Sequence, residues 1–135
     1  DVFGLRSCVN TVLRMWNPSA AGASVQGVFH PSYRLLQADA AALLGWRNLS
    51  VIKGGGGEFE LYPAKTITCF GLRGGMAWEG ARRASVSNCK RLTETMAHWP
   101  PMPDLPAFES AIIQGTAALA METLEVAHSK TCHAA

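Results

Sequence analysis

Apolar positions in the first half of the chain fall into two short β-branched runs separated by one stretch of helical period. Val25 to Phe29 and Leu49 to Ile52 are the runs, and their length and composition suit parallel strands covered on both faces. Between them Tyr33, Leu36, Ala40 and Leu43 recur at helical spacing. Pro31 and Ser32 supply the start chemistry of a helix, and Gly45 supplies a residue that tolerates φ > 0 just past its end. Arg34, Gln37 and Asp39 lie on the opposite face, so the spacing predicts a crossover helix resting on a sheet with that polar side in water. The second strand runs directly into Gly54 to Gly57 and Glu58. A glycine-rich loop after a strand of a βαβ unit sits where open α/β sheets meet their ligands.

The rest of the chain is less periodic. Residues Leu5 to Trp16 place Val9, Val12, Leu13 and Trp16 on one helical face, and Asn17-Pro18 closes that segment because a residue before proline avoids the α region. Ser19 to Ser24 reads as a loop. Glu58 to Tyr62 alternates polar and apolar until Pro63 interrupts it, and Thr66 to Phe70 reads as a further strand, bounded by Gly71 and Gly74-Gly75 and suited to antiparallel pairing. Trp78 to His98 holds helix-compatible pieces without a clean period and is read as irregular. The prolines of Trp99 to Asp104 exclude a helix there. Asp104 is a candidate N-cap, and Leu105 to Ala127 predicts the longest helix, with Phe108, Ile112, Gly115 and Leu119 on one face. Gly115 costs that helix about 1 kcal/mol of propensity, which predicts a close contact at its surface. The pattern therefore predicts one α/β domain over 1–135: an opening helical segment over 1–18, a βαβ unit with its following strands over 25–71, and a long helix over 104–128. The sheet is expected to be partial, mainly parallel and flanked by helices.

Composition narrows the class. With 48% apolar residues the chain can bury a substantial core, and no apolar run approaches the roughly 18–20 residues that cross a bilayer. A formal charge of +2, from 12 basic and 10 acidic residues, argues for no particular polyanion. Basic residues do gather at Arg73, Arg82, Arg83, Lys90 and Arg91, which makes Arg82 and Arg83 the candidates for a nucleic-acid contact. Cys8, Cys69, Cys89 and Cys132 form no paired motif, so a reducing intracellular compartment, cytoplasm or organelle matrix, is expected. The tail of His128, Cys132 and His133 is read as a frayed terminus rather than a metal site, and Asn48-Leu-Ser as an accidental glycosylation triplet. A chain beginning at Asp1 is expected to be processed or truncated.

Five segments in order then carry a resemblance: Leu5-Arg-Ser through Asn17-Pro18, Gln26-Gly-Val-Phe-His-Pro, Leu44-Gly, Val51-Ile-Lys-Gly-Gly-Gly-Gly-Glu, and Ile113-Gln-Gly-Thr-Ala-Ala-Leu-Ala. Together they resemble the carboxy-terminal part of the anthranilate phosphoribosyltransferase family, and in particular its paralogues called glycosyl transferase family 3 proteins, some regarded as DNA-binding. The resemblance spans nearly the whole chain. It implies the later half of a nucleoside phosphorylase/phosphoribosyltransferase-like α/β domain. The family's Gly-Thr-Gly-Gly-Asp phosphate loop would lie upstream of Asp1, as would the arginine that contacts the aromatic acceptor; Arg6 matches a neighbouring arginine.

The same resemblance places candidate substrate contacts at His30, Gly54, Gly55 and Gly56. His30 follows a strand, and a structural role beside Pro31 is the competing reading. Glu58 stands where the family's magnesium aspartate would be, while Phe59 occupies the partner position. Glu60 is the remaining candidate for a magnesium pair, yet residues 58 and 60 share a strand face while 59 points away. An exposed polar strand face is the alternative for both. No catalytic residue is assigned.

Three functions stay open. One is a phosphoribosyltransferase-like part, inactive alone and completed by a partner chain or a missing amino-terminal half that holds the phosphate loop, using phosphoribosyl pyrophosphate only then. Another is a non-catalytic subunit whose exposed sheet edge and apolar surface are covered by a complementary polypeptide. The third is a nucleic-acid-binding paralogue.

Overall fold

A computed structural model describes residues 8–54, 60–87 and 106–129. The elements in order are α1 (Cys8–Leu13), β1 (Ser24–Val28), α2 (Tyr33–Leu43), β2 (Leu49–Lys53), β3 (Ile67–Arg73), β4 (Met76–Arg82) and α3 (Ala107–Ser129). The four strands form one sheet in the order β1-β2-β3-β4. β1 and β2 run parallel, from Ser24 opposite Leu49 to Val28 opposite Lys53, with α2 as the crossover.

The sheet is mixed, not mainly parallel: β3 pairs antiparallel with both β2 and β4. A parallel return needs a crossover of a dozen or more residues, usually helical. The connection after β2 passes instead through Pro63, with no helix among its described residues. β3 turns into β4 through Gly74 (φ 61°) and Gly75 (φ 86°), a left-handed pair that matches the twist of a two-residue hairpin. Residues 78–82, expected to be irregular, are therefore strand. Gly71 lies inside β3 rather than at its end, where φ is 152° and a Cβ would stand 1.9 Å from the Leu49 carbonyl oxygen. Only glycine fits that approach.

Alternation divides the core between two faces of the sheet. Val28, Leu49, Val51 and Leu72 join Ala41 of α2 on one face, with Met15 and Trp46 packed against them. Ile52, Ile67 and Cys69 join Leu119 of α3 and Leu61 on the other, with Val25, Tyr62 and Trp78 at the margin. β2 is thus covered on both sides, Leu49 and Val51 facing one cluster and Ile52 the other. Each of its fully buried aliphatic side chains contributes roughly 1.5–3 kcal/mol. On α3 the expected face is the observed one: Phe108 and Leu119 are buried, and a Cβ on Gly115 would meet Leu61 Cδ2 at 3.1 Å. The glycine there admits a neighbouring side chain. Asp104 lies outside the described residues.

The orientation of α2 reverses the expectation. Gln37, Ala38 and Ala41 face the sheet, while Tyr33, Leu36 and Leu43 are exposed, Leu43 to 90%. Small side chains let the helix axis approach β2 and β3, where leucines would hold it away. Arg34 also turns inward, its guanidinium carbon 4.4 Å from the centre of the Phe70 ring and Nη1 donating to the Thr68 carbonyl at 3.5 Å. The expected face of α1 is exposed as well, at Val9, Val12, Leu13 and Trp16. That segment is held instead by Arg14 Nη1, which donates to the Gly27 carbonyl at 2.6 Å, and by Gln26 Nε2, which donates to the Arg14 carbonyl at 2.8 Å. Among the described residues no helix is long and apolar enough to cross a membrane.

Candidate anion-binding cleft

The carboxyl ends of β1 and β2 and the amino end of antiparallel β3 meet at one margin of the sheet. They open on a cleft of about 600 Å³ lined by Phe29, His30 and Pro31 after β1, Arg34 of α2, Lys53 and Gly54 at the end of β2, and Lys65 to Thr68 leading into β3, with Tyr62 beside them. Gly54 N–H continues the parallel ladder by donating to the Val28 carbonyl at 3.3 Å, which fixes where the glycine run begins.

Arg34, Lys53 and Lys65 line this cleft, and no carboxylate is among the described residues that line it. Its field is therefore that of an anion site, each lysine worth about 1 kcal/mol to a monoanion at 4 Å in bulk water. The backbone contributes less. Tyr33 N–H and Arg34 N–H donate to the carbonyls of His30 and Pro31 at 3.1 Å each, and Ser32 makes no side-chain cap. The start of α2 thus closes on itself, leaving recognition to side chains. Arg34 is anchored through Nε to the Pro31 carbonyl at 3.1 Å, whereas Lys53 and Lys65 are exposed. The His30 ring stands edge-on between Phe29 and Tyr33, with centroids at 5.0 and 5.9 Å.

Of the site residues expected from sequence, the fold brings His30 and Gly54 together in this cleft. Gly55, Gly56 and Glu58 lie outside the described residues. Glu60 is placed elsewhere, beside an apolar groove of about 860 Å³ between the start of β1 and α3. Among the described residues no three His, Cys, Asp or Glu side chains gather as a metal group, and the one described carboxylate of the expected magnesium pair does not line the basic cleft. Arg82 is paired with Glu122 of α3, and Arg83 is exposed beyond β4.

Arg34, Lys53 and Lys65 were not expected in a site. Lys53 carried a legible signal, standing between a strand and four glycines. Arg34 was assigned to water by its place opposite the leucines, and Lys65 reaches the cleft only because β3 starts beside the end of β2.

A second polar cluster is buried and does not open on the cleft. Arg73 Nη1 donates to the carbonyls of Leu49 and Leu72 at 2.9 and 3.0 Å, Nη2 donates to Ser50 Oγ at 2.8 Å, and the guanidinium carbon lies 3.9 Å from the Trp78 ring centre. Burial pulls the Arg73 pKa below its ordinary value, with Cys69 opposing and the charge of Arg82 adding to the shift. Burial likewise pushes the Cys69 thiol up, opposed by the charges of Arg82, Arg73 and Arg34. The thiol therefore stays protonated and unreactive at neutral pH. Cys8 is exposed, and both described cysteines are free. Compared with models of known protein families and with curated protein sequences, the chain matches none.

Proposed function

We propose that this chain is the carboxy-terminal portion of an α/β domain of the anthranilate phosphoribosyltransferase type, which binds a phosphate-bearing ligand in the basic cleft and is catalytically incomplete by itself. The supporting observation is the meeting of His30 and Gly54 with Arg34, Lys53 and Lys65 at the carboxyl ends of β1 and β2, the place where open α/β sheets take ligands. In such a protein the reaction displaces pyrophosphate from the anomeric carbon through an oxocarbenium-like transition state. The part of this chain is to hold phosphate oxygens: Lys53 and Lys65 as mobile cations, Arg34 as a fixed one.

Completion by another polypeptide is part of this reading, because the resemblance puts the family's phosphate loop and its acceptor-contacting arginine outside the segments that match this chain. The exposed apolar side chains of α1 and α2 favour a second reading, a non-catalytic subunit of an intracellular assembly. Titration calorimetry with phosphoribosyl pyrophosphate separates the two. The first reading expects binding in the micromolar to millimolar range, weakened about tenfold by Lys53→Ala combined with Lys65→Ala, and no turnover by the chain alone. Absence of binding by a correctly folded chain would remove the ligand from this cleft and leave the subunit reading.

A further inference from the structure

The basic pair at the end of β4 has no part in the cleft. Arg82 is the last residue of the strand and Arg83 follows it, exposed and without an ion pair among the described residues. Charges on an edge strand such as β4 discourage unwanted strand pairing, but Arg83 stands beyond the ladder and has no edge to guard. After it come Ala84, Ser85 and Val86. Two arginines, one spacer, a serine and a branched apolar residue make the pattern selected by protein kinases that prefer basic substrates. Carboxylates in the groove of such a kinase pair with the arginines three and two residues before the hydroxyl, and an apolar pocket takes the residue after it.

The fold presents this pattern in an accessible form. Residues 83–87 belong to neither helix nor strand, and Arg83, Ala84 and Ser85 are exposed while Val86 is half-buried. The segment is tied back at one point, where the N–H groups of Ser85 and Val86 donate to the Pro63 carbonyl at 2.8 and 3.3 Å. These bonds use backbone alone and leave the Ser85 hydroxyl outside them. Arg82 is engaged with Glu122 of α3, in a pair whose side chains are 31% and 40% exposed. Exposed pairs of this kind add little to a fold, so a kinase groove can take Arg82 without dismantling β4. Other serines fail one requirement or the other. Ser87 has Ala84 and Ser85 at the positions where arginines are needed, and Ser50, three residues after Arg47, is fully buried.

We propose that Ser85 is a phosphorylation site for a protein kinase of this basic-substrate class, with a nucleoside triphosphate as phosphoryl donor. Ser85 Oγ attacks the γ-phosphorus, the bond from that phosphorus to the bridging oxygen of the β-phosphate breaks, and the diphosphate leaves. The hydroxyl proton passes to the catalytic carboxylate of the kinase. The phosphoserine carries a charge of about −1.5 to −2 within three residues of Arg82 and Arg83, which turns the basic end of β4 nearly neutral.

The test uses the whole folded chain with magnesium ATP and the catalytic subunit of the cyclic-AMP-dependent protein kinase, the phosphate being located by tandem mass spectrometry. Uptake is expected at Ser85. Ser85→Ala should remove the greater part of the total uptake, and Ser87→Ala should leave it unchanged. Arg83→Ala, an exposed substitution that should not alter the circular dichroism, should lower kcat/KM for the modification by about tenfold or more, as the loss of a charge-assisted contact requires. A folded chain in which Ser85 stays unmodified overturns the proposal, as does one that accepts phosphate there only after unfolding in urea, since the fold would then withhold the hydroxyl. Total uptake that survives Ser85→Ala, or a rate unchanged by Arg83→Ala, overturns it by placing recognition elsewhere.

Discussion

Ser50 Oγ and Thr123 Oγ1 lie 2.7 Å apart and are both fully buried, joining the central strand to the long helix. The direction of every bond around them is fixed. Thr123 Oγ1 donates to the Leu119 carbonyl at 2.6 Å, so the proton between the two hydroxyls belongs to Ser50. Ser50 in turn accepts from Arg73 Nη2 at 2.8 Å. A single relay therefore runs from a buried guanidinium on β3, through β2, to the backbone of α3, and such a network stabilises only while each member keeps its partner.

Ser50→Ala should be the costlier break, because it leaves a buried cationic N–H without its acceptor. A loss of about 2–3 kcal/mol is expected. Thr123→Val removes two neutral bonds, to Ser50 and to the Leu119 carbonyl, but leaves Ser50 paired with Arg73, for an expected loss of about 1–2 kcal/mol. Urea unfolding of the two variants checks the order; equal losses would mean that Arg73 finds another acceptor.

Gly71→Ala should prevent stable folding. Its Cβ would stand 1.9 Å from the Leu49 carbonyl oxygen and 2.7 Å from that carbonyl carbon, so β2 and β3 would have to part where Leu49 pairs with Leu72. A cost above about 4 kcal/mol is expected. Gly75 is left-handed too, but open space surrounds it, and Gly75→Asn should cost less than about 1 kcal/mol since asparagine tolerates that backbone. Thermal melts of the pair separate a steric requirement from a conformational one.

The existence of β1, α2, β2 and α3 was legible because each is a local pattern: two β-branched runs, one helical period, and a long periodic stretch around Phe108 and Leu119. What the pattern could not supply was the partner of each face. Leucines at Leu36 and Leu43 normally mark the buried side of a helix, but the sheet beneath α2 takes Ala38 and Ala41, and nothing local distinguishes a stripe meant for the core from one meant for another chain. β4 was missed because Met76 to Arg82 alternates only weakly, with Trp78, Gly80 and Arg82 half-buried and the residues between them exposed. The signal lay in Gly74-Gly75, a hairpin pair read only as a boundary. The placing of two residues in one cleft was legible for the same reason. His30 and Gly54 follow strands, whereas Lys65 joins them through a strand pairing that spans separate segments.

Polyanion affinity should follow the cleft rather than β4. Glu122 already neutralises Arg82 in a half-exposed pair, which is worth about 1 kcal/mol or less to the fold. Arg82→Ala should elute from heparin at the salt concentration of the wild type and melt within about 3 °C of it. Lys53→Ala combined with Lys65→Ala should elute earlier, since two phosphate contacts would be gone. A larger shift from Arg82→Ala than from the lysine pair would return the polyanion surface to β4.

The buried thiol of Cys69 makes stability fall in mild alkali. An unfolded cysteine titrates near 9.0, and burial raises the folded value above that. Between the two values the folded state binds more protons than the unfolded one, so stability decreases as pH rises. The penalty is absent below pH 9.0, grows as pH climbs through the window, and is complete once the folded thiol also ionises. Other groups titrate in the same range, which makes the informative quantity a difference. Cys69→Ala should be less stable than wild type at pH 7 because it leaves a small cavity, and that gap should narrow by pH 10. A thiol reagent should modify exposed Cys8 within minutes at pH 8 and reach Cys69 only on unfolding. A gap that stays constant from pH 7 to pH 10 would show that the folded and unfolded thiols titrate alike, and that the arginines Arg82, Arg73 and Arg34 offset burial in full.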